Sequence, residues 1–152
     1  MIEISAQDFI SRFVVRGPAG GGLMLPEGPN RAIDAGETAA LWLGPDEWLL
    51  LGGAAPDTRL AAVDVSHRSV GLRLRGADAA ILLAGGVPLD LRLAAFPVGM
   101  CTRTIFEKAE IVLWRRGEAD WHVEVARSFA PYVQELMAAI AGASGLAMRA
   151  PP

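Results

Sequence analysis

Residues 63–86, VDVSHRSVGLRLRGADAAILLAGG, constrain the fold more than any other stretch, because a strand, a turn and a short helix follow one another there without a gap. Apolar and polar residues alternate over residues 70–75, which is the period of a strand with one buried face. After Gly76, residues 77–84 consist mostly of good helix formers. The pair Gly85–Gly86 predicts a helix end in left-handed geometry. A chain with this unit needs a sheet on which a short helix packs.

The rest of the chain predicts more strands. Residues 1–16 contain short apolar segments that fit either a helix or a strand. Residues 38–44 and 47–53 predict a hairpin, whose turn contains a proline that fixes one backbone torsion. Three later runs, separated by polar turns, predict an antiparallel meander over residues 101–107, 110–116 and 121–126.

Two more helices are predicted. Residues 56–62 are expected to form a short helix that begins at Pro56. The last helix is expected to have Ser128 as its N-cap, to hold Pro131 in its first turn and to end near Gly142. Its apolar face is predicted to contain Phe129, Val133, Leu136, Met137 and Ile140.

These elements predict an α+β protein, in which a few helices cover antiparallel sheets. We expect the main domain at residues 38–142, between an N-terminal segment and loop at residues 1–37 and a C-terminal tail at residues 143–152. Residues 17–30, GPAGGGLMLPEGPN, are too rich in glycine and proline for regular structure. A loop of this length is typically functional, disordered or laid across a partner, and we expect a partner here.

Composition excludes several classes of protein. The formal net charge is −3 with both signs interspersed, which argues against the basic surface of a nucleic-acid-binding protein. No run approaches the ~20 apolar residues of a membrane span, and the first residues lack the features of a signal peptide. We therefore expect a cytoplasmic protein that binds neither nucleic acid nor membrane. Hydrophobic residues make up 52% of the sequence, which fits either a surface covered by a partner or a composition inflated by alanine.

Metal and nucleotide sites are not predicted. Cys101 is the only cysteine, so an internal disulfide is impossible and a thiolate cage for zinc is excluded. His67 and His122 lie too far apart in sequence to indicate a metal site. The glycines of the chain lack the spacing of a dinucleotide or phosphate loop, so we expect any flavin on another chain.

The two histidines carry different expectations. His67 follows Asp64 by three residues, so it is either a general base beside a carboxylate or part of a turn whose polar side chains bond to the backbone. The turn is the favoured interpretation, and no catalytic residue is predicted. His122 alternates with the core residues Trp121 and Val123, and we expect it on the exposed face of its strand.

Arginine far exceeds lysine, whose single copy is Lys108. Arginine and tryptophan are favoured at protein interfaces, where a planar guanidinium makes several directed hydrogen bonds and an indole fills a pocket. We expect Trp48, Arg103 and Arg127 at an interface, and we expect Trp48, beside a turn, to be the most exposed of the four tryptophans.

One family pattern accounts for the order of these motifs. Asp64-Val65-Ser66-His67, followed by a strand, by Gly76-Ala77-Asp78-Ala79 and by a leucine-rich helix, resembles the folate-binding domain of the glycine-cleavage T-protein (aminomethyltransferase) superfamily. The resemblance covers roughly residues 38–141 and implies a T-protein-like fold with an internal structural duplication. The flanking motifs are similar to those of the sarcosine oxidase gamma subunit family: LGPDEWL at 43–49, PLDL at 88–91, FPVG at 96–99, TRT at 102–104 and RSFA at 127–130.

The resemblance also implies a role. A gamma-type subunit would brace a heterotetrameric sarcosine oxidase together with alpha, beta and delta subunits, and would have no active site of its own. FAD, FMN, NAD and folate would be bound by those partners. The partners would also carry out sarcosine oxidation and the transfer of the one-carbon unit to tetrahydrofolate.

The T-protein pattern is incomplete in this chain. In that family the reactive carboxylate belongs to a Gly-Gly-hydrophobic-hydrophobic-Asp-Asp turn, and an ungapped count places Ala109 and Glu110 at its two aspartates. The first carboxylate is missing, which weakens the case for an aminomethyltransferase. The alternative that stays open is a free-standing folate- or pterin-binding protein, in which Glu110 and Glu124 would bind tetrahydrofolate by pairing with the pterin ring.

Overall fold

Two sheets and two helices make up the computed structural model, which describes residues 1–149. The helices are α1 (Ala79–Ala84) and α2 (Ala130–Ala143). The strands are β1 (Ile2–Ala6), β2 (Arg12–Arg16), β3 (Ala32–Asp34), β4 (Ala39–Gly44), β5 (Glu47–Leu51), β6 (Ala61–Asp64), β7 (Ser69–Arg75), β8 (Cys101–Phe106), β9 (Ala109–Gly117), β10 (Asp120–Ala126) and β11 (Met148–Arg149).

The first sheet has six strands in the order β11-β1-β7-β10-β9-β8, and the second has five in the order β3-β4-β5-β2-β6. Paired strands are antiparallel, except that β11 runs parallel to β1. The predicted hairpin is confirmed as β4 and β5, and the predicted meander as β8, β9 and β10. The fold class is α+β, as the sequence predicts, while the internal duplication stays a prediction.

The main core lies between the first sheet and the helices. Alternation along β7 and β10 directs Leu72, Leu74, Trp121 and Val123 to this side, and all four are fully buried. The helices contribute Leu82, Leu83, Val133 and Met137. Each such side chain stabilises the fold by roughly 1.5–3 kcal/mol relative to exposure.

A second, smaller core lies between the two sheets. Leu41, Leu49 and Leu51 of the second sheet contact Cys101 and Trp114 of the first. The molecule is therefore a stack of three layers, with helices on one side, the six-stranded sheet in the middle and the five-stranded sheet on the other side. This middle position matters for function, because side chains on both faces of β10 are buried.

The glycine- and proline-rich loop at residues 17–30 is a loop, as predicted, but it lies across the outer face of this chain's own second sheet. Leu25 is buried there against Trp48 and Ala40. The indole Nε1 of Trp48 donates a hydrogen bond of 2.9 Å to the carbonyl oxygen of Pro26. The loop therefore packs on its own chain, and the expectation that it lies across a partner stays a prediction.

The predicted helix at residues 56–62 is wrong. Residues 61–64 form β6, which pairs with β2, and the residues before it are irregular. Thr58 gives the physical reason, because its hydroxyl donates to the carbonyl of Gly21 at 2.6 Å and accepts from the amide of Leu60 at 3.1 Å. Such side-chain bonds to the backbone compete with helix formation.

The predicted caps of the helices also differ from the structure. Phe129, not Ser128, is the N-cap of α2, and no side chain caps it. The helix runs past Gly142 to Ala143, while Pro131 lies in its first turn as predicted. Phe129 lies outside the apolar face, with 45% of its surface exposed.

The end of α1 is not left-handed, since Gly85 has a φ of −68°. The two glycines are needed for close approach instead. A Cβ on Gly85 would lie 2.6 Å from Cγ2 of Ile140, and one on Gly86 would lie 2.6 Å from Cε2 of Phe106. Helix α1 therefore meets α2 and β8 at distances that only glycine permits.

Gly86→Ala should lower the free energy of unfolding by about 1–3 kcal/mol, because the new methyl group overlaps the ring of the buried Phe106. Gly142→Ala is the matched control: nothing lies within 4 Å of a Cβ added there, and alanine in a helix should raise the free energy of unfolding by about 0.4–1 kcal/mol. Urea unfolding of both variants measures these changes. Wild-type stability in Gly86→Ala would contradict the close approach of Phe106.

Candidate functional site

A buried polar cluster, formed by Arg12, His122 and Glu124, lies between the two sheets. Because Trp121, Val123 and Val125 of β10 point toward the helices, His122 and Glu124 point toward the second sheet. Arg12 reaches them from β2. The exposed fraction of each of the three side chains is only 2–3%.

Arg12 holds Glu124 with two hydrogen bonds. Its Nε donates to Oε2 at 2.6 Å and its Nη2 donates to Oε1 at 3.2 Å. The remaining Nη1 donates to the carbonyl of Ile10 at 3.0 Å. The bidentate geometry is the one that makes a buried pair of opposite charges tolerable.

His122 completes the cluster, with Nε2 at 2.7 Å from Oε1 of Glu124. A carboxylate only accepts hydrogen bonds, so Nε2 carries a proton and donates. Burial alone would raise the pKa of Glu124, but hydrogen bonds from His122 and Arg12 outweigh it and lower that pKa. Glu124 is therefore an ionised carboxylate in the interior.

Gly71, in the middle of β7, provides the space for this cluster. A Cβ at Gly71 would lie 2.9 Å from Cε1 of His122 and 3.1 Å from Oε1 of Glu124. A larger residue would push the imidazole away from the carboxylate. The glycine in the alternating pattern of residues 70–75 is thus required by its neighbours on β10.

The expectation that His122 is exposed is wrong. Period-two alternation does place it opposite the core residues Trp121 and Val123, but the second sheet covers that face. Sequence analysis also missed Arg12. The available signal was an acidic residue, Glu124, inside the otherwise buried strand β10, since a buried charge needs a partner.

The turn between β6 and β7 supports the cluster. Ser66 Oγ accepts a hydrogen bond from the amide of Arg12 at 2.9 Å and lies 2.6 Å from Oδ1 of Asp64. The amide of Ser66 also donates to Asp64 at 2.9 Å, and these bonds lower the pKa of Asp64. His67 is exposed and stacks on Phe9 at 5.0 Å between ring centres. Asp64 and Ser66 therefore bond to the backbone as the turn interpretation predicts, while the absence of a catalytic role for His67 stays a prediction.

Two clefts flank the cluster. The Glu110 cleft, of about 570 Å³, is lined by Arg68, Arg103, Glu110 and Glu124 among others. This cleft brings together Glu110 and Glu124, the two residues proposed to pair with a pterin ring. Their carboxylates differ in availability: Glu110 is exposed, while Glu124 is already bonded to Arg12 and His122. The His122 cleft, of about 280 Å³, lies on the other side and includes His122, Arg73 and Arg116 in its wall.

The three interface candidates have different surroundings. Trp48 is only 1% exposed, so the expectation of an exposed indole is wrong, because the loop at residues 17–30 covers it. Arg103 is half exposed and donates to Glu47 at 2.7 Å, on the opposite sheet. Arg127 is exposed at the entry to α2, near the exposed rings of Phe129 and Tyr132.

Residues 1–149 contain no group of three or more histidine, cysteine, aspartate or glutamate side chains that could hold a metal ion. Burial raises the pKa of the Cys101 thiol to about 12, so a thiolate does not form there near neutral pH. Neither helix in this part of the chain is long and apolar enough to cross a membrane.

Comparisons with known proteins identify relatives of this chain. The sarcosine oxidase gamma subunit family matches residues 16–143. The sarcosine oxidase subunit gamma of Corynebacterium sp. (strain U-96) is 36% identical over 109 residues, which are 64% of this chain and 53% of that protein. The subunit of the same name from Arthrobacter sp. is 34% identical over 114 residues, or 67% of this chain and 56% of that protein. The chain thus spans about half the length of the curated relatives it matches.

Solved structures agree with this result. A chain of the heterotetrameric sarcosine oxidase from Corynebacterium sp. U-96, in complex with pyrrole 2-carboxylate, superimposes with a TM-score of 0.82 and 27% identity. The match covers 93% of this chain and 84% of that chain. The glycine cleavage system aminomethyltransferase T from Bartonella henselae gives a TM-score of 0.66 at 15% identity, over 97% of this chain and 47% of that one, which shows a shared fold.

Glu124→Gln should lower the free energy of unfolding at pH 7 by about 3–5 kcal/mol, because it leaves the buried Arg12 without a counter-charge. Since the pKa of Glu124 is lower in the folded state than the ordinary 4.5, its stabilisation is complete above that value and is lost as the pH falls through the folded-state pKa. The variant should therefore lose less stability than wild type between pH 7 and acid. Urea unfolding across that range measures both effects.

Glu110→Gln is the matched control, because it makes the same change at an exposed position on the neighbouring strand. It should alter the free energy of unfolding by no more than about 0.5 kcal/mol. Equal effects of the two substitutions would contradict the buried ion pair.

Proposed function

This chain belongs to the sarcosine oxidase gamma subunit family, and on that basis we propose that it is a non-catalytic subunit of a heterotetrameric sarcosine oxidase. The observation that carries the proposal is the match to one chain of such an enzyme over 93% of this chain. The subunit would stabilise the assembly. Oxidation of sarcosine and transfer of the one-carbon unit to tetrahydrofolate would take place on the other subunits.

The missing carboxylate supports a non-catalytic role. Ala109, at the position of the first aspartate in the T-protein pattern, is fully buried in the main core. Glu124 is engaged by Arg12 and His122, so its carboxylate is already satisfied inside the fold. We propose that alpha, beta and delta subunits are the partners, that they carry FAD, FMN, NAD and folate, and that the complex is cytoplasmic.

We propose that the interface includes Arg103 and Arg127. Arg127 lies next to Arg68, whose carbonyl accepts its amide at 2.9 Å. Arg103 pairs with Glu47, whereas within the described chain the guanidinium groups of Arg68 and Arg127 form no ion pair. With the exposed Phe129 and Tyr132 they form a surface of arginine and aromatic residues, the composition typical of interface hot spots. Trp48 would contribute indirectly, by fixing the loop that covers it.

The second candidate function is a free-standing folate- or pterin-binding protein. The Glu110 cleft favours it, because an exposed carboxylate and the arginines Arg68 and Arg103 share one cavity of about 570 Å³. Such a cleft is large enough for a bicyclic ring system. The occupied carboxylate of Glu124 disfavours it, since only Glu110 is left to pair with the pterin.

Arg127→Glu should abolish copurification with coexpressed alpha, beta and delta subunits. The substitution replaces a positive charge at the proposed interface with a negative one, which an acidic partner surface would repel. Arg59→Glu is the matched control, an exposed arginine on the loop before β6. Size-exclusion chromatography of the coexpressed proteins, with a sarcosine-dependent peroxide assay, gives the readout. Thermal melts of both variants separate loss of binding from loss of folding. Full assembly of Arg127→Glu would contradict this interface.

Tetrahydrofolate titrated into the isolated chain distinguishes the two functions. The subunit role predicts no measurable heat of binding in calorimetry, since the partners would hold the folate. Saturable binding that Glu110→Gln removes, in a chain that does not assemble, would instead support the free-standing folate-binding protein.

A further inference from the structure

Residues 88–98, PLDLRLAAFPV, form an irregular loop between α1 and β8, which we call the 88–98 loop. Much of its apolar surface is exposed. Leu89, Leu93 and Val98 are 40–45% exposed, and they are three of the eleven large apolar side chains exposed in residues 1–149. The two alanines that follow Leu93 are exposed as well. A run of three exposed apolar residues in a folded protein indicates a function, because burial of such residues is favourable.

The 88–98 loop is nevertheless firmly anchored. Leu91 and Phe96 are only 4% and 1% exposed and belong to the main core. The carbonyl of Arg92 accepts hydrogen bonds from the amides of Ala95 and Phe96, at 3.0 and 2.8 Å. These bonds make residues 92–96 a single helical turn. The exposed apolar residues in the middle of this turn are therefore held in fixed positions by buried neighbours on either side.

Arg115 of β9 holds the loop from inside the molecule. Its Nη1 donates to the carbonyls of Leu91 and Phe96 at 3.1 and 2.9 Å. Its Nη2 donates to the carbonyl of Glu118 at 2.6 Å, and its Cζ lies 4.6 Å from the ring centre of Trp121. Only 6% of Arg115 is exposed, yet within residues 1–149 no carboxylate forms an ion pair with it.

This lack of a counter-charge shows what Arg115 does. A buried cation is costly unless it is hydrogen-bonded, and its bonds here go to the backbone of the 88–98 loop and of the turn between β9 and β10. The planar guanidinium can bond to both segments at once. Its contribution is therefore the conformation of the loop.

The charges of the loop cancel each other. Asp90 and Arg92 are its only charged residues. Nε of Arg92 donates to Oδ1 and Oδ2 of Asp90 at 2.9 and 3.0 Å, and Nη2 donates to Oδ2 as well. The loop thus presents aliphatic side chains with no net charge, and the surface complementary to it is apolar and uncharged.

We propose that the 88–98 loop docks into an apolar, uncharged hollow on another subunit of the complex, and that Arg115 is the positioning residue that fixes the loop's shape. The inference rests on the proposed function. A heterotetramer with alpha, beta and delta subunits holds one copy of this chain, so the occupant is a different subunit and not a second copy. A loop that is already ordered loses little conformational entropy on association.

Leu93→Glu tests the docking surface. It should weaken assembly with the alpha, beta and delta subunits roughly tenfold or more, because the carboxylate would lose its water against an apolar surface. Val63→Glu is the matched control: Val63 is 59% exposed on the edge strand β6, and assembly should be unchanged. The readout is the concentration at which half of this chain elutes with the other subunits in size-exclusion chromatography. Thermal melts of both variants check that they fold.

Arg115→Lys tests the positioning role in the full-length chain. Lysine keeps the charge but donates from a single nitrogen, so it cannot hold both segments. The amides of Ala95 and Phe96 should exchange with solvent roughly tenfold faster, while those of β10 keep their rates. Assembly should weaken severalfold, because the loop must then be ordered on binding. Arg116→Lys, on the same strand, should leave exchange in the loop unchanged.

Three results would contradict the inference. Assembly of Leu93→Glu at the wild-type concentration would overturn the docking surface. A dimer of the isolated chain that Leu93→Glu abolishes would overturn the choice of occupant, since a second copy would then cover the loop. Equal acceleration of exchange throughout Arg115→Lys would overturn the positioning role. Failure of the wild-type chain to assemble is a separate result, because it contradicts the proposed function and this inference falls with it.

Discussion

The buried ion pair between Arg12 and Glu124 determines how the two sheets face each other. Removing two charges from water costs several kcal/mol per ion, and their attraction compensates only when the geometry is good and every donor is used. Here Arg12 has a partner for Nε and for both terminal nitrogens. A shift of β10 by one residue would turn Glu124 into the helix-side core, where it would have no cation. The pair therefore selects one register of β10 and one placement of β2.

Three other residues, Gly71, Ser66 and Asp64, support this ion pair. Gly71 leaves room for His122 beside Glu124, and Ser66 fixes the backbone of Arg12 through its hydroxyl. Asp64 in turn orients Ser66. Thus the turn that resembles the T-protein motif holds two sheets together in this protein, and its polar residues need no catalytic explanation.

Local sequence patterns predicted most strands, whereas the exposure of individual side chains depended on contacts with residues distant in sequence. Alternation was sufficient for β7 and for the meander, because the period of a strand is visible in six residues. It failed for His122 and Trp48, since their exposure depends on a second sheet and on a loop that covers it. The glycines after α1 were misread for the same reason: their role is set by Ile140 and Phe106, which lie far away in sequence. Of the buried cluster, the sequence singled out Glu124 and His122 but not Arg12, and pterin binding by Glu110 and Glu124 stays a prediction.

Ala109 occupies a position of the first sheet at which an ionised carboxylate would be poorly accommodated. Its side chain is fully buried in a cluster of apolar residues and is paired in register with Phe106. A carboxylate at that position would enter the core without a cation, and burial would favour its neutral form. Restoring one aspartate would thus destabilise the first sheet without supplying an ionised group. The space around Ala109 is filled by apolar side chains, and the charged side chains Glu110, Arg103 and Arg116 lie instead along the two clefts beside the buried cluster.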